Sequence, residues 1–216
     1  MDTPTKTQIL DTAERLFAEL GFDATSLRAL TAAAQVNLAA VNYHFGSKEG
    51  LICAVFERRL DPINIERIAE LEAAIAEAAA AGREPTLEAV LTAFFGPVLR
   101  MARDPGGANF MRLLGRMHAD PDAHALREQI YAQFRDLRDR FMPHIAARAP
   151  HLSAEELFWR VHFTIGVMAH TLTCSVGLDW LSNGVCTTMD AEPTMARMVA
   201  FCAAGLRAPL DVEVRR

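Results

Sequence analysis

The apolar positions of the first fifty residues recur at helical spacing, interrupted by short polar breaks. Ile9, Ala13, Leu16, Phe17 and Leu20 share one face of a helix predicted over residues 5 to 20. Gly21 ends it, because glycine accepts the left-handed backbone that closes a helix. Thr25 or Ser26 can cap a second helix that turns Leu27, Leu30 and Ala34 inward. Gln35-Val36-Asn37 is a tight break, and Leu38 to Phe45 predicts a third helix of two turns. Gly46-Ser47 ends that helix and caps a fourth, whose apolar stripe is Leu51, Ile52, Val55 and Phe56. Helices this short do not persist alone in water. They must pack on one another, and three of them with such tight breaks predict a helix-turn-helix bundle.

Downstream the pattern lengthens. Residues 47 to 81 predict one long helix, bent near Pro62 and stopped by Gly82-Arg83-Glu84-Pro85. Further helices are predicted over residues 86 to 103 with Pro97 as a kink, 108 to 117, 122 to about 148, 153 to about 180, and 193 to 206. No segment alternates as a strand would, and no internal repeat is visible. The fold class is therefore all-α. A three-helix N-terminal domain, residues 1–50, is joined by a long helix to a large helical bundle, residues 51–216.

Composition narrows the function. Half of the 216 residues are hydrophobic and 23% are charged, enough to bury a real core. The formal net charge is −5, so any nucleic-acid binding must come from a local patch. Even residues 1–50 carry only four Lys or Arg against six Asp or Glu. Cys53, Cys174, Cys186 and Cys202 form no CxxC pair and read as reduced, mostly buried thiols in the cytoplasm. The polar start MDTPTKTQIL lacks the apolar segment of a signal peptide. The uncharged run Phe163–Leu178 is shorter than the ~20 apolar residues of a membrane span and contains His170 and several hydroxyls, so it predicts a buried helix with no membrane partner. HADPDAH, His118 to His124, gathers imidazoles and carboxylates but reads as a loop around Pro121. His162 and His170 are eight residues apart on one helix face, too far along the axis to share a metal. With no HExxH, GxSxG or glycine-rich phosphate loop, the chain predicts no enzyme, no metal and no cofactor.

The chemistry concentrates in NLAAVNYHFGSKEGL, residues 37 to 51. A two-turn helix after a tight turn fits the DNA major groove, about 12 Å wide. Ala39 and Ala40 allow close backbone approach, and Leu38 or Ala39 can touch a thymine methyl. Asn37 and Asn42 offer carboxamides matched to adenine N6 and N7. Tyr43 and His44 can donate to phosphates, and Lys48 with the free amides of the next helix start can hold another. Phe45 is expected to pack the bundle.

These residues carry a resemblance. "LFAELGFDATS" followed by "LRALTAAAQVNLAAVNYHFGSKEGLI" resembles the DNA-binding domain of TetR-family transcriptional regulators, over residues 5 to about 56. The resemblance implies that Thr25 or Ser26 and Arg28 open the second helix against DNA. It implies that Asn37 to Asn42 read the groove and that Tyr43, His44 and Lys48 clamp phosphates. Two positions depart from the family pattern. Gln35 stands where glycine is usual, which implies a strained turn, and Asn42 replaces a common tyrosine, which implies an altered base preference.

The family also implies that the large bundle binds a small effector and forms a homodimer, which suits a palindromic double-stranded operator. Phe94, Phe95, Phe110, Leu113, Leu114, Met117, Phe134, Met142 and Met168 are candidate pocket residues, with Arg112, Arg116 or His162 to meet a carboxylate or thioester head. The stretches VNLAAVNYHFGSKEGL, WRVHFTIGVMAHTL and FCAAGLRAP are similar to the PsrA-type branch, which includes fatty-acid-responsive members. That resemblance implies an apolar or acyl effector, a fatty acid or acyl-CoA, that releases a repressor. The last two helices are the candidate dimer surface: Phe158, Trp159, Val161, Ile165, Gly166, Ala169 and Thr173, with Met195, Met198, Val199, Cys202 and Gly205. The alternative is a helical DNA-binding or interaction protein regulated by a protein partner, its apolar interior being core alone.

Overall fold

The computed structural model describes residues 4–104, 106–119, 124–173, 175–186 and 190–209. Every regular element among them is a helix: α1 (Pro4–Leu20), α2 (Leu27–Ala33), α3 (Leu38–Phe45), α4 (Lys48–Ala80), α5 (Leu87–Met101), α6 (Gly107–Ala119), α7 (His124–Ala132), α8 (Arg135–Arg148), α9 (Ala154–Thr173), α10 (Ser175–Leu181) and α11 (Ala191–Arg207). None of the described helices is long and apolar enough to cross a membrane. The chain divides into two compact units, Met1–Ile63 with Ala102–Arg135, and Asn64–Met101 with Asp136–Arg216.

In the first unit the predicted stripes meet. Ile9, Ala13 and Phe17 of α1, Leu30 of α2, Val41 of α3, and Leu51 and Phe56 of α4 are fully buried. Helix α6 packs along α1 and adds Phe110, Leu113 and Met117. A run of aromatic contacts joins these layers: Phe17 to Phe22 at 5.7 Å, Phe22 to Phe56 at 6.3 Å, and Phe56 to Phe110 at 5.7 Å between ring centroids. Such tilted pairs add to the burial of apolar area, which is the dominant favourable contribution to folding.

One carboxylate lies inside this unit. Glu14 is 3% exposed. Arg59 forks onto it, with Nη2 2.7 Å from Oε1 and Nε 3.0 Å from Oε2. Arg58 donates to the same carboxylate and, at 2.6 Å, to Asp11. Gly106 leaves room for the fork: a Cβ there would stand 2.0 Å from the Arg59 Nη2, and the guanidinium would have to shift. Arg116 on α6 closes the other end of α1, donating to the carbonyls of Ala18 and Glu19 at 3.2 and 3.0 Å. Those carbonyls have no helical donor of their own.

In the second unit α5 packs on α11, and α11 on α9. Leu87, Val90, Leu91 and Phe95 of α5 meet Met198, Cys202 and Leu206 of α11 in the buried interior. Arg148 donates to the Pro85 carbonyl at 2.7 Å, and Arg207 grips Glu88 with both terminal nitrogens. Helix α4 is unbroken through Pro62, whose ring faces solvent.

One boundary differs from expectation. The single helix predicted over 122 to 148 is two helices. Gln133 and Phe134 donate to Ile130 and Tyr131, three residues back, and this tighter pattern ends α7. The stretch predicted as helix from 153 to about 180 is helical over Ala154–Thr173 and again over Ser175–Leu181, residue 174 lying outside the described residues.

Glu14→Ala strands two arginines around a buried site. We expect a loss near the lower end of the ~3–5 kcal/mol typical of a broken buried pair, because Arg58 and Arg59 remain 23% and 27% exposed. Urea unfolding of the variant against the parent checks this.

Candidate nucleic-acid interface

Capping fixes where α2 and α3 begin. Ser26 is the N-cap of α2, its Oγ accepting from the Ala29 amide at 3.1 Å. Thr25 is not a cap. It is buried, and its hydroxyl donates to the Gly21 carbonyl at 2.8 Å, which removes it from the outer surface. Arg28 is exposed on the first turn of α2. Asn37 caps α3, its Oδ1 accepting from the Ala40 amide at 2.8 Å. Only its NH2 group remains for a base, so the two-pronged pairing expected of Asn37 is open to Asn42 alone.

The turn between the helices is the strained point the sequence suggested. Gln35 has φ of +51°, in the left-handed region that costs an L-residue free energy. It holds because Val36 donates to the Thr31 carbonyl at 3.0 Å and Leu30 and Val41 are buried on either side.

Val41 points inward, and this sets the outward face of α3. Leu38, Ala39, Asn42 and Tyr43 are exposed, Tyr43 at 85%. Positions i, i+1, i+4 and i+5 share one helix face, so these side chains form a single strip: methyl-bearing groups at one end, a carboxamide in the middle, a phenol at the other. Ala40 and His44 are half-buried beside it, and Phe45 is half-buried as well. The Tyr43 and His44 rings meet edge to face at 5.1 Å.

The start of α4 differs from expectation. Its amides are largely satisfied from within. Gly50 N–H donates to Ser47 Oγ at 3.1 Å. The Glu49 carboxyl is held below its ordinary value first by its own backbone N–H and then by the Ser47 hydroxyl. Lys48 is half-buried, with Nζ 3.4 Å from the Asp23 carbonyl. The positive charge at this corner is therefore the Lys48 ammonium rather than a bare helix terminus. Gly50 was not singled out from the sequence. A Cβ there would lie 2.2 Å from the Phe45 carbonyl oxygen, so glycine is what lets α3 and α4 meet this closely.

The profile "Bacterial regulatory proteins, tetR family" matches residues 9–55, and "Tetracyclin repressor-like, C-terminal domain" matches residues 92–205. The chain belongs to the TetR family. Solved TetR-like structures repeat the fold. The fatty acid degradation regulator of Bacillus halodurans aligns with a TM-score of 0.67 at 16% identity, over 96% of this chain and 98% of that one. A TetR-family transcriptional regulator of Streptomyces coelicolor gives 0.55 at 20% identity, over 94% of each chain. A TetR-like transcriptional regulator of Rhodococcus sp. RHA1 gives 0.56 at 18%, over 95% and 97%. No curated protein sequence is significantly similar to this chain.

The pocket candidates of this TetR-family chain separate. Phe110, Leu113 and Met117 are fully buried core of the first unit, and Phe134 sits half-buried in the turn after α7. Arg116 is spent on the α1 carbonyls, and Arg112 donates weakly to Asn109 at 3.4 Å. His162 is exposed on α9 against Trp159 and Phe163. Only Phe94 and Met168 converge, around Arg67, which sequence reasoning missed. Its place among the acids Glu66, Glu70 and Glu72 of α4 gave no signal of burial.

The dimer candidates also divide. Phe158, Trp159 and Ile165 are exposed on α9, with Gly166 and Thr173, while Ala169 and Val161 are half-buried. On α11, Met198, Val199 and Cys202 are buried in the unit's own core, which corrects their assignment to the surface; Met195 is half-buried. The exposed side of α11 is Phe201 with Gly205, and α9 adds Phe163, which was not foreseen. His118 to His124 lies outside the residues whose side chains are described, as does Cys174. Among the described residues no three His, Cys, Asp or Glu side chains cluster as metal ligands do.

Two substitutions test this geometry. Gln35→Gly relieves a left-handed cost of ~1–2 kcal/mol against glycine's extra ~0.5–1 kcal/mol of chain entropy. Its melting midpoint should therefore equal or exceed that of the parent. Gly50→Ala should lose ~1–3 kcal/mol, as overpacking does, with the loss read by denaturant unfolding and weakened DNA binding following from the displaced α3.

Proposed function

We propose that this TetR-family protein is a ligand-responsive transcriptional repressor that reads a palindromic operator as a homodimer. The observation that carries the reading is the exposed strip Leu38, Ala39, Asn42 and Tyr43, held outward by the burial of Val41. Residues 1–50 act as the reading head and residues 51–216 as the effector-binding and dimerisation part. Asn42 takes the base-edge role, with Leu38 and Ala39 against thymine methyls. Tyr43, His44, Lys48, Ser26 and Arg28 contact phosphates, which position the helix and make binding salt-dependent.

The dimer face is the exposed apolar surface of α9 and α11, with Phe158, Trp159, Phe163, Ile165 and Phe201 at its centre. A contiguous patch of this kind marks an interaction surface, and a two-fold dimer supplies two heads for the two half-sites. The effector acts by binding one head spacing better than the other, and the coupling is that difference, typically ~1–3 kcal/mol. The similarity to the PsrA-type branch, and a structural relative that is itself a fatty acid degradation regulator, support an acyl effector.

Fluorescence anisotropy on DNA from the gene's own upstream region, in a salt series, tests the docking. Tyr43→Ala and Lys48→Ala should each weaken binding to every sequence and flatten the salt slope by about one unit at most. Asn42→Ala should relax preference at one base position by ~1–3 kcal/mol. Unchanged binding in all three would contradict the docking of α3.

Phe201→Glu places a charge on the proposed dimer face without touching the core. It should shift the protein from dimer to monomer in light scattering and weaken operator binding together. A Phe201→Glu protein that stays dimeric would remove α11 from the interface.

A further inference from the structure

Arg67 is the one fully buried arginine among the described residues, 2% exposed, and its surroundings are neutral. Its Nε donates to the Phe94 carbonyl at 2.8 Å and its Nη1 to the Asn64 side-chain oxygen at 3.1 Å. Its Nη2 reaches only the Met168 sulfur, at 3.7 Å, and the guanidinium carbon lies 4.3 Å from the centre of the Phe94 ring. Among the described residues no carboxylate pairs with it. The acids of the same helix, Glu66 and Glu70, are held by Arg100. Burial alone pushes the Arg67 pKa down to about 10, with no anion opposing it.

An uncompensated buried charge is unfavourable, and proteins normally pair it. A guanidinium carries five N–H donors. Three are used here, one of them on a thioether, which accepts weakly. A donor is left on each of Nη1 and Nη2, and the two oxygens of a carboxylate accept such a pair in the plane of the fork. The neighbours suit an apolar body. Phe94 is half-buried and stacks edge to face on Phe141 at 5.5 Å. Met168 is half-buried, and a methionine side chain repacks readily.

We propose that Arg67 anchors a binding site in the C-terminal unit for an organic carboxylate with an apolar body, which takes the place of the Met168 thioether on the guanidinium and packs beside Phe94. The inference rests on the reading that this part of the chain takes a small-molecule effector, and it assigns that effector's head group. Simply holding the Phe94 carbonyl needs a donor, not a charge.

The test is a thermal-shift titration of the full chain with octanoate, dodecanoate, palmitate and phenylbutanoate, each beside its primary amide, and with dodecanoyl-CoA. At least one carboxylate should raise the melting midpoint, and its amide should bind roughly tenfold more weakly or worse, since a charge-assisted bond is lost. Arg67→Met should abolish the response while melting at or above the unliganded parent, because an apolar chain replaces an unpaired buried charge. Should Arg67→Met fail to fold, Arg67→Lys keeps the charge and loses the fork. It should bind the same carboxylate more weakly yet still above its amide.

A parent stabilised by no carboxylate, or equally by acid and amide, would overturn the proposal. So would a carboxylate response that survives Arg67→Met. Stabilisation by dodecanoyl-CoA alone would overturn it too, since the CoA phosphates would then be the anion recognised. DNA anisotropy on the same samples separates the two readings. Carboxylate binding that leaves DNA affinity unchanged keeps the Arg67 site and removes the effector role. Release from DNA by a neutral compound alone does the reverse.

Discussion

Helices of seven and eight residues, α2 and α3, cannot hold their shape in water, and the first unit is organised around that constraint. Each spends its inner face on the core, Leu30 on one and Val41 on the other, both fully buried. Each has a first-turn amide satisfied by a side-chain acceptor, Ser26 Oγ on one and Asn37 Oδ1 on the other. What remains on the outside of α3 then follows from helical spacing: with Val41 inward, Ala39, Asn42 and Tyr43 point away, and Leu38 lies at the edge of their strip, 43% exposed. The reading surface is the complement of the packing surface. The same economy limits Asn37, whose oxygen is committed to the cap.

The arginines show how location decides what a charge does. Arg58 and Arg59 stay a quarter exposed and share the buried Glu14, so they tie α4 to α1 as a fastening. Arg116 is spent on helix-end carbonyls. Arg67 is buried, 2% exposed, with no carboxylate paired to it among the described residues. The first three arrangements are complete in the free chain. On our proposal the last is completed by an external carboxylate, and there the effector reading and the carboxylate assignment meet.

Most of the fold was legible because helical periodicity is a local signal. The stripes of α1 and α4, the helices α5 and α11 and the breaks at Gly21 and Gly46 follow from residues a few positions apart, while the strain at Gln35 was implied by the family resemblance. The parts that were not legible depend on three-dimensional placement that periodicity does not carry. Thr25 looked like a cap until the Gly21 carbonyl claimed its hydroxyl. Gly50 looked ordinary until the Phe45 carbonyl lay against it. Met198 and Cys202 looked like a surface because nothing in α11 itself says which face α5 will cover. Arg67 sits in a charged stretch where arginine is normally solvated, and only the fold reveals its burial. In the candidate site, the outward strip of α3 was readable residue by residue, while the state of the α4 start was not, because Ser47 and Glu49 satisfy its amides from within.

The central claim is that two copies of α3 read a symmetric site. Selection of bound fragments from a random double-stranded DNA pool, followed by sequencing, tests it most directly. The account predicts enrichment of an inverted repeat whose half-sites lie about one helical turn apart, or a multiple of it. It also predicts that Asn42→Ala loses information at one position of each half-site. Enrichment of a single asymmetric site, or none above the starting pool, would contradict it.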